Sequence, residues 1–182
     1  MTATTNYLFT SARLGFRPWR NADFAALAAM NADPEVMEFF EDIMTEKQSL
    51  AFVNRMKEEY ARSGYCYFPV EELATSDFVG IIGLSLKTFK SAWTPNVDIG
   101  WRLVKKHWYK GYATEGAARC ITYGLHTLKL PKIISLAPAI NTRSIAVMQK
   151  IGMVKAGEFI HPQIAHVPLL KNCVMYETAH PQ

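Results

Sequence analysis

From Val97 to Leu128 an apolar strand runs into an amphipathic helix through a short bend, and this join limits the fold more than any other stretch. Val97-Asp98-Ile99-Gly100-Trp101-Arg102-Leu103-Val104 reads as the strand, and Trp108-Tyr109-Lys110-Gly111-Tyr112-Ala113-Thr114-Glu115-Gly116 as the bend, with small residues at Gly111 and Ala113 where it turns. Ala117, Ile121, Leu125 and Leu128 then recur at helical spacing, which predicts a helix over Ala113 to Leu128. Such a bend leaves backbone N–H groups without intrahelical acceptors, and the helix dipole adds partial positive charge there, so it suits a phosphate and has room for a pyrophosphate. A glycine before a helix is common without any ligand, and a second motif strengthens the reading. Asn141-Thr142-Arg143-Ser144-Ile145-Ala146-Val147-Met148-Gln149-Lys150-Ile151-Gly152-Met153 reads as another helix, ending in glycine and turning at once into an apolar strand.

Elsewhere the punctuation is local. Leu14 to Trp19 alternates as a first strand, Asn21 or Asp23 can cap a helix to about Met30, and Asp33-Pro34 predicts the start of another short helix. Thr45 followed by Gln48 is a capping-box pattern for a helix through Arg62, closed by Gly64. Tyr65 to Val70 and Phe78 to Thr88 form a hairpin across Ala74 to Asp77, with Asn96 to Val104 as the next antiparallel member. Ile133 to Leu136, Met153 to Phe159 and Cys173 to Thr178 are the later strands. This order predicts an α/β fold with one central sheet.

With 182 residues, 49% of them hydrophobic, the chain suits one domain over residues 1–182 with a core from about 12 to 178. Its longest apolar run, Phe78 to Leu86, is broken by Gly80 and Gly83, short of the roughly 18 residues that cross a bilayer. Met1 to Ser11 has neither the basic start nor the apolar block of a leader, so no membrane partner is expected. The three cysteines, Cys66, Cys120 and Cys173, lie far apart with no ligand spacing, which predicts no disulfide framework, no metal site and a reducing, cytoplasmic setting. A net charge of +4 without a long basic run implies no nucleic-acid partner.

The bend and the Asn141 helix together resemble the GNAT superfamily of acetyl-CoA-dependent N-acyltransferases, whose signature is Q/R-x-x-G-x-G/A followed by an N-x-x-(A/S)…G-(F/M) helix. Gly111 and Ala113 match. Trp108 replaces the Gln or Arg, as in the W-G-x-G-Y-A-T-E-A pattern of the RimJ/RimL branch, where Tyr109 stands for the first glycine. Leu14-Gly15-Phe16-Arg17-Pro18-Trp19, Asp33-Pro34-Glu35-Val36-Met37, Asp98-Ile99-Gly100-Trp101, His161-Pro162 and Val174-Met175-Tyr176 extend the likeness over nearly the whole chain. The resemblance implies a mixed, mostly antiparallel sheet flanked by helices, its fourth and fifth strands splayed to admit the pantetheine arm of the co-substrate.

It also implies roles. The pyrophosphate of acetyl-CoA would lie on the N–H groups of Tyr109, Lys110, Gly111, Tyr112 and Ala113, beside Trp108 and the Thr114 hydroxyl, with the pantetheine along Leu103 and Val104. Lys105, Lys106 or Lys110 would add charge near the phosphates. Asn141 would bind the pantetheine amide, cap its helix, or do both. Asp98, at the Glu of the branch's E-I-G-W pattern, is the expected base or amine-orienting group, acting through water because its reach is shorter; the alternative is a plain strand-edge carboxylate. Met148 fills the position of the tyrosine that protonates the leaving thiolate in many relatives, which leaves Ser144 as the expected replacement. Glu38 and Glu41 would form an acidic rim for a cationic acceptor, or simply a solvated helix end, and Trp93 would cover the acceptor cleft or pack on strand ends. Direct transfer to a primary amine is implied, with a protein or peptide N-terminus first, a polyamine or amino-sugar second, and a non-catalytic CoA-binding module as the rival. The enzyme would act as a monomer or homodimer.

Overall fold

The computed structural model describes residues 6–178. Eight strands, β1 (Phe9–Thr10), β2 (Leu14–Phe16), β3 (Tyr67–Glu72), β4 (Phe78–Lys87), β5 (Asn96–Leu103), β6 (Ile134–Pro138), β7 (Met153–Ile160) and β8 (Asn172–Thr178), form one sheet among the described residues. Their spatial order is β1-β2-β3-β4-β5-β6-β8-β7. Every neighbouring pair is antiparallel except β5 and β6, which run parallel and share the single register pair Asp98 with Ile134. Beyond that pair the two strands part, as the α/β fold with splayed central strands requires.

Four helices flank the sheet: α1 (Asp23–Asn31), α2 (Glu46–Ser63), α3 (Tyr112–Thr122) and α4 (Thr142–Lys150). The α2 signals work as read: Thr45 and Gln48 exchange both capping-box bonds, and Gly64 closes the helix at φ 75°. Helix α1 lacks a side-chain cap because the Asp23 carboxylate is drawn into the interior by Arg17. The expected helix after Asp33-Pro34 is instead a series of turns over residues 34–39, which stack Phe40 against Arg102 and Phe39 against Arg143. Helix α3 starts at Tyr112 and widens into π-type turns from Tyr123 to Thr127, within the span expected.

Register assigns the sheet faces. Residues directly opposite on antiparallel strands share a face, so Ile82 with Trp101 and Leu84 with Ile99 lie on one side. Leu84 and Ile82 there meet Gly124 and Gly116, where the close helix leaves no space for a Cβ. Ser85 with Asp98, Gly83 with Gly100 and Ile81 with Arg102 occupy the opposite face, where Glu59 of α2 accepts from the Ser85 hydroxyl (3.1 Å) and the Leu86 N–H (2.8 Å). Three same-face positions of β5, Asp98, Gly100 and Arg102, are thus presented toward α1 and α2.

Arg17 ties β2 to that layer. Its guanidinium donates to Asp23 of α1 at 2.7 and 2.8 Å and to Glu71 of β3, all within a buried cluster. Two residues on, the Trp19 indole N–H donates to the Tyr67 carbonyl (2.9 Å), which fixes the β3 segment carrying the Tyr67 side chain. Arg17→Met leaves the buried Asp23 without a cation and Glu71 with Arg20 at 3.8 Å in its place, and should cost about 3–5 kcal/mol. Urea unfolding measures this, and a loss below about 1 kcal/mol would show that the cluster does not organise the layer.

Candidate functional site

Parting strands leave edge groups that need partners. Val104 N–H bonds to Val79 of β4, whereas the Ile99 carbonyl accepts from Ser135 Oγ across the gap (3.0 Å). Strand alternation therefore turns the amides of Trp101 and Leu103 toward the opening between β5 and β6. The Leu136 N–H of β6 is taken up by Asp98 Oδ1 (3.2 Å), so a side chain bridges the gap where a ladder bond is lost.

Two adjoining cavities follow this opening. The outer one, about 490 Å³, is walled by Leu103, the bend from Trp108 to Thr114, and Asn141, Arg143 and Val147 of the α4 region. The inner one, about 160 Å³, lies among Asp98, Tyr67, Arg102, Leu136, Ser144 and Met148. Phe39, Phe40, Trp101, Arg102, Asn141 and Ser144 border both, which makes them one continuous cleft with two ends.

The outer end is built for an anion. Tyr109 (φ 59°) and Gly111 (φ 80°) both adopt left-handed backbone, so the chain curls there and its N–H groups converge. The Gly111 carbonyl accepts from Glu115 N–H (3.0 Å), while among the described residues no acceptor engages the N–H groups of Tyr109 to Thr114. Tyr109 holds the left-handed path although it is not a glycine, at a strain of about 1–2 kcal/mol. His107, also on this wall, is buried with neither ring nitrogen bonded, and burial followed by Lys106 and Lys110 lowers its pKa. The empty cradle of amides fits a diphosphate.

At the inner end Asp98 is almost fully buried. The Tyr67 hydroxyl donates to its Oδ2 (2.6 Å), and Lys87 Nζ stands 3.8 Å from the same oxygen. Burial pushes the Asp98 carboxyl up to about 6, with Lys87, Tyr67 and the Leu136 N–H pulling the other way. Tyr67 reaches this carboxylate by passing under Gly100, where a Cβ would come within 2.9 Å of its ring. Neither Tyr67 nor Lys87 had a local sequence signal; Gly100 in Asp98-Ile99-Gly100-Trp101 marks the space that one of them uses.

The remaining expected residues divide between the cleft and its surroundings. Leu103, Trp108, Tyr109, Gly111, Tyr112, Ala113, Thr114, Asn141 and Ser144 border the outer cavity, with Val104 and Lys110 adjoining them in sequence. Asn141 Oδ1 accepts from Ser144 N–H (3.0 Å) as a helix cap, which leaves its amide Nδ2 for a ligand. Lys105 and Lys106 are paired with Glu35 and Asp77. Glu38 pairs with Arg143 and Glu41 with His166 (2.7 Å), and neither glutamate borders a cavity. Trp93 packs its ring on the Gly157 backbone of β7, outside both cavities. No cluster of metal-ligating side chains occurs among the described residues, and no helix among them is long and apolar enough to cross a membrane.

Known proteins share this fold. The acetyltransferase (GNAT) domain pattern matches residues 13–154. An N-acetyltransferase of Bacillus subtilis called YnaD, itself uncharacterized, is 32% identical over 151 residues, covering 82% of this chain and 84% of its own. The crystal structure of a GNAT-family acetyltransferase from Bacillus anthracis superposes with a TM-score of 0.77 at 30% identity, over 92% of this chain and 95% of that one. RimL, a ribosomal alpha-N-protein acetyltransferase in complex with coenzyme A, shares the fold with a TM-score of 0.78 at 12% identity, over 96% of this chain and 98% of its own.

Because the native Asp98 carboxyl keeps its proton to about pH 6 against 3.8 for the unfolded chain, the folded state binds more protons between those values. Stability therefore falls as pH rises through that window, by up to about 3 kcal/mol. Denaturant midpoints measured from pH 4 to 7 should show this slope, and Asp98→Asn should flatten it. An unchanged slope would place the carboxylate outside the buried cleft.

Proposed function

Because the chain belongs to the acetyltransferase (GNAT) family, a match that spans residues 13–154, we propose that its cleft binds acetyl-CoA and transfers the acetyl group directly to an α-amine. Acetyl transfer of the GNAT type is the family's chemistry; the donor's seat, the residue roles and the acceptor are the proposal. The observation that carries it is the buried Asp98 carboxylate, tuned to about 6 at the inner end of a cleft whose outer end is a cradle of unpaired amides.

Seen from the residues, the amides of Tyr109 to Ala113 and the Thr114 hydroxyl bind the diphosphate, with the His107 imidazole and Lys110 beside them. The Trp101 and Leu103 edge amides and Asn141 Nδ2 hold the pantetheine in the place of a missing strand, alongside Val104. Trp108 closes the side, its indole N–H already spent on the Leu103 carbonyl (2.9 Å). The acyl group is thereby directed to the inner cavity, where positioning alone supplies much of the acceleration.

Asp98 takes the amine proton, directly or through water. Against a carboxyl near 6, an α-amine of pKa about 7.8 yields its proton at a cost of about 2.5 kcal/mol, and a lysine-like amine near 10.4 at about 6 kcal/mol. That difference favours a protein or peptide N-terminus or another α-amine over a lysine-like side chain or a polyamine. The pairing of Glu38 with Arg143 and of Glu41 with His166 also weakens the acidic rim that a polyamine needs. Ser144, in the first turn of α4 and facing both cavities, is the proton source for the departing thiolate, since Met148 has no proton to give.

Calorimetry with acetyl-CoA and thiol release with N-terminal peptides test this together. Gly111→Val forces a β-branched residue into left-handed backbone and should weaken acetyl-CoA about tenfold or more, a strain of at least 1–2 kcal/mol. Asp98→Asn should lower kcat about a hundredfold or more with the acetyl-CoA Kd almost unchanged. Ser144→Ala should slow turnover with either acceptor. A wild-type rate in Asp98→Asn would remove that carboxylate from the chemistry, and full affinity in a folded Gly111→Val would move the diphosphate elsewhere.

A further inference from the structure

Arg102 stands on the same face of β5 as Asp98 and borders both cavities, yet no carboxylate among the described residues pairs with it. Its Nη1 donates to Asn31 Oδ1 (2.5 Å) and approaches Met44 Sδ (3.7 Å), its plane lies 4.1 Å from the Phe40 centroid, and its Nε is buried without any partner. Asn31 is itself fully buried, and its Nδ2 donates to Ser49 Oγ (3.0 Å), which fixes the oxygen toward Arg102. The guanidinium is thus held by neutral groups in a prepared position. Burial pulls its pKa down to about 10, so it stays charged at neutral pH.

A half-buried cation with only a neutral oxygen, a sulfur and a ring around it gains from an anion that completes it. The acidic side chains of the neighbouring turns do not: Glu35 is held by Lys105 and Glu38 by Arg143, Glu41 is hydrogen-bonded to His166, and Asp42 accepts from the Ile43 N–H (2.8 Å). On the same face Lys87 stands 3.8 Å from Asp98, and the buried Glu59 carboxylate is held by the Ser85 hydroxyl and the Leu86 N–H, so Arg102 and Lys87 are set against Asp98 and Glu59 and only Arg102 lacks a carboxylate neighbour. A guanidinium at the cleft whose Nη2 makes no hydrogen bond is suited to a carboxylate or a phosphate.

Resting on the acetyl-transfer reading above, we propose that the acceptor is an amine that also carries a carboxylate or phosphate, its anionic group bound by Arg102 and its amine turned to Asp98. Asn31 is then a positioning residue: it aims the guanidinium and does not touch the acceptor. Carboxylate and phosphate share this recognition chemistry, and so do a free amino acid and a peptide with an acidic side chain next to its N-terminus.

The test compares matched amines with wild type, Arg102→Met and Arg102→Lys: alanine against alaninamide, phosphoethanolamine against ethanolamine, a tripeptide amide with an acidic against a neutral second residue, and spermidine. In wild type the anionic member of at least one pair should have a kcat/KM about tenfold or more above its neutral partner, as one charge-assisted bidentate contact provides. The pair showing the largest gap identifies the source of the anion. Arg102→Met should abolish the gap by raising KM for the anionic acceptor, with KM for acetyl-CoA changed less than about threefold; Arg102→Lys, which keeps charge but not the fork, should fall between. Equal rates within all pairs, a preference for spermidine, or a gap that survives in Arg102→Met overturns the proposal. If wild type fails to bind acetyl-CoA, the transfer reading itself falls. Thermal unfolding then decides the anion site alone: a Tm raised by an anionic amine in wild type but not in Arg102→Met sustains it, and the absence of any such rise overturns it.

Discussion

Strands β5 and β6 meet at Asp98 and Ile134 and then separate, and from that one register pair onward their facing edges must be satisfied by something other than each other. A sheet that opens this way has unpaired amides in its interior, a cost that folded proteins avoid. Here the Ser135 hydroxyl and the Asp98 carboxylate supply two of the missing partners. The amides of Trp101 and Leu103 farther along are left to whatever enters. The cleft is therefore less a hole in the packing than an incomplete sheet, and an extended ligand with alternating donors and acceptors completes it in the manner of an added strand.

The same pair explains the electrostatics. Asp98 is structurally committed, since it bridges the two strands at their fork, and this holds it away from water where its charge is expensive. Tyr67, Lys87 and the Leu136 N–H lower the penalty without cancelling it, and the carboxyl comes to rest near 6, between the ordinary carboxylate range and the α-amine range. The structural role of this side chain and the chemical role proposed for it thus share one cause. A carboxylate freed from the fork would be better hydrated and a weaker base.

How far the sequence reveals this depends on how local each signal is. The capping box at Thr45, the Gly64 stop, the Gly111 bend and the Asn141 cap each lie within a few residues of what they determine, and each reads correctly from the chain. The short helix expected after Asp33-Pro34 fails because tertiary contacts, the stacking of Phe39 and Phe40 on two arginines, override a cap-and-proline signal in so short a segment. Tyr67 and Lys87 escape notice for a related reason. They reach Asp98 only through the pairing of β3 with β4 and β4 with β5, and nothing in their neighbouring residues encodes that register. Arg102 was visible as a strand residue, but its lack of a counter-ion emerges only when Glu35 and Glu38 are seen paired to other cations and Glu41 hydrogen-bonded to His166.

Charge is partitioned along the cleft in a way that composition conceals. A net charge of +4 reads as a mildly basic surface, yet most cations around the cleft are neutralised locally: Lys105 by Glu35, Lys106 by Asp77 and Arg143 by Glu38. These exposed pairs contribute little stability, because solvent screens them. What they remove is the indiscriminate attraction of a basic patch for any polyanion. Among the described residues the positive groups along the cleft that lack a counter-ion include the helix-terminal amides and Lys150 at the outer end and Arg102, which borders both cavities. Fixed dipoles and a half-buried guanidinium select by shape as well as by sign, since each rewards an anion only at a defined position. In the proposed reading, specificity accordingly arises from where charge has been left unpaired, more than from how much charge the chain carries.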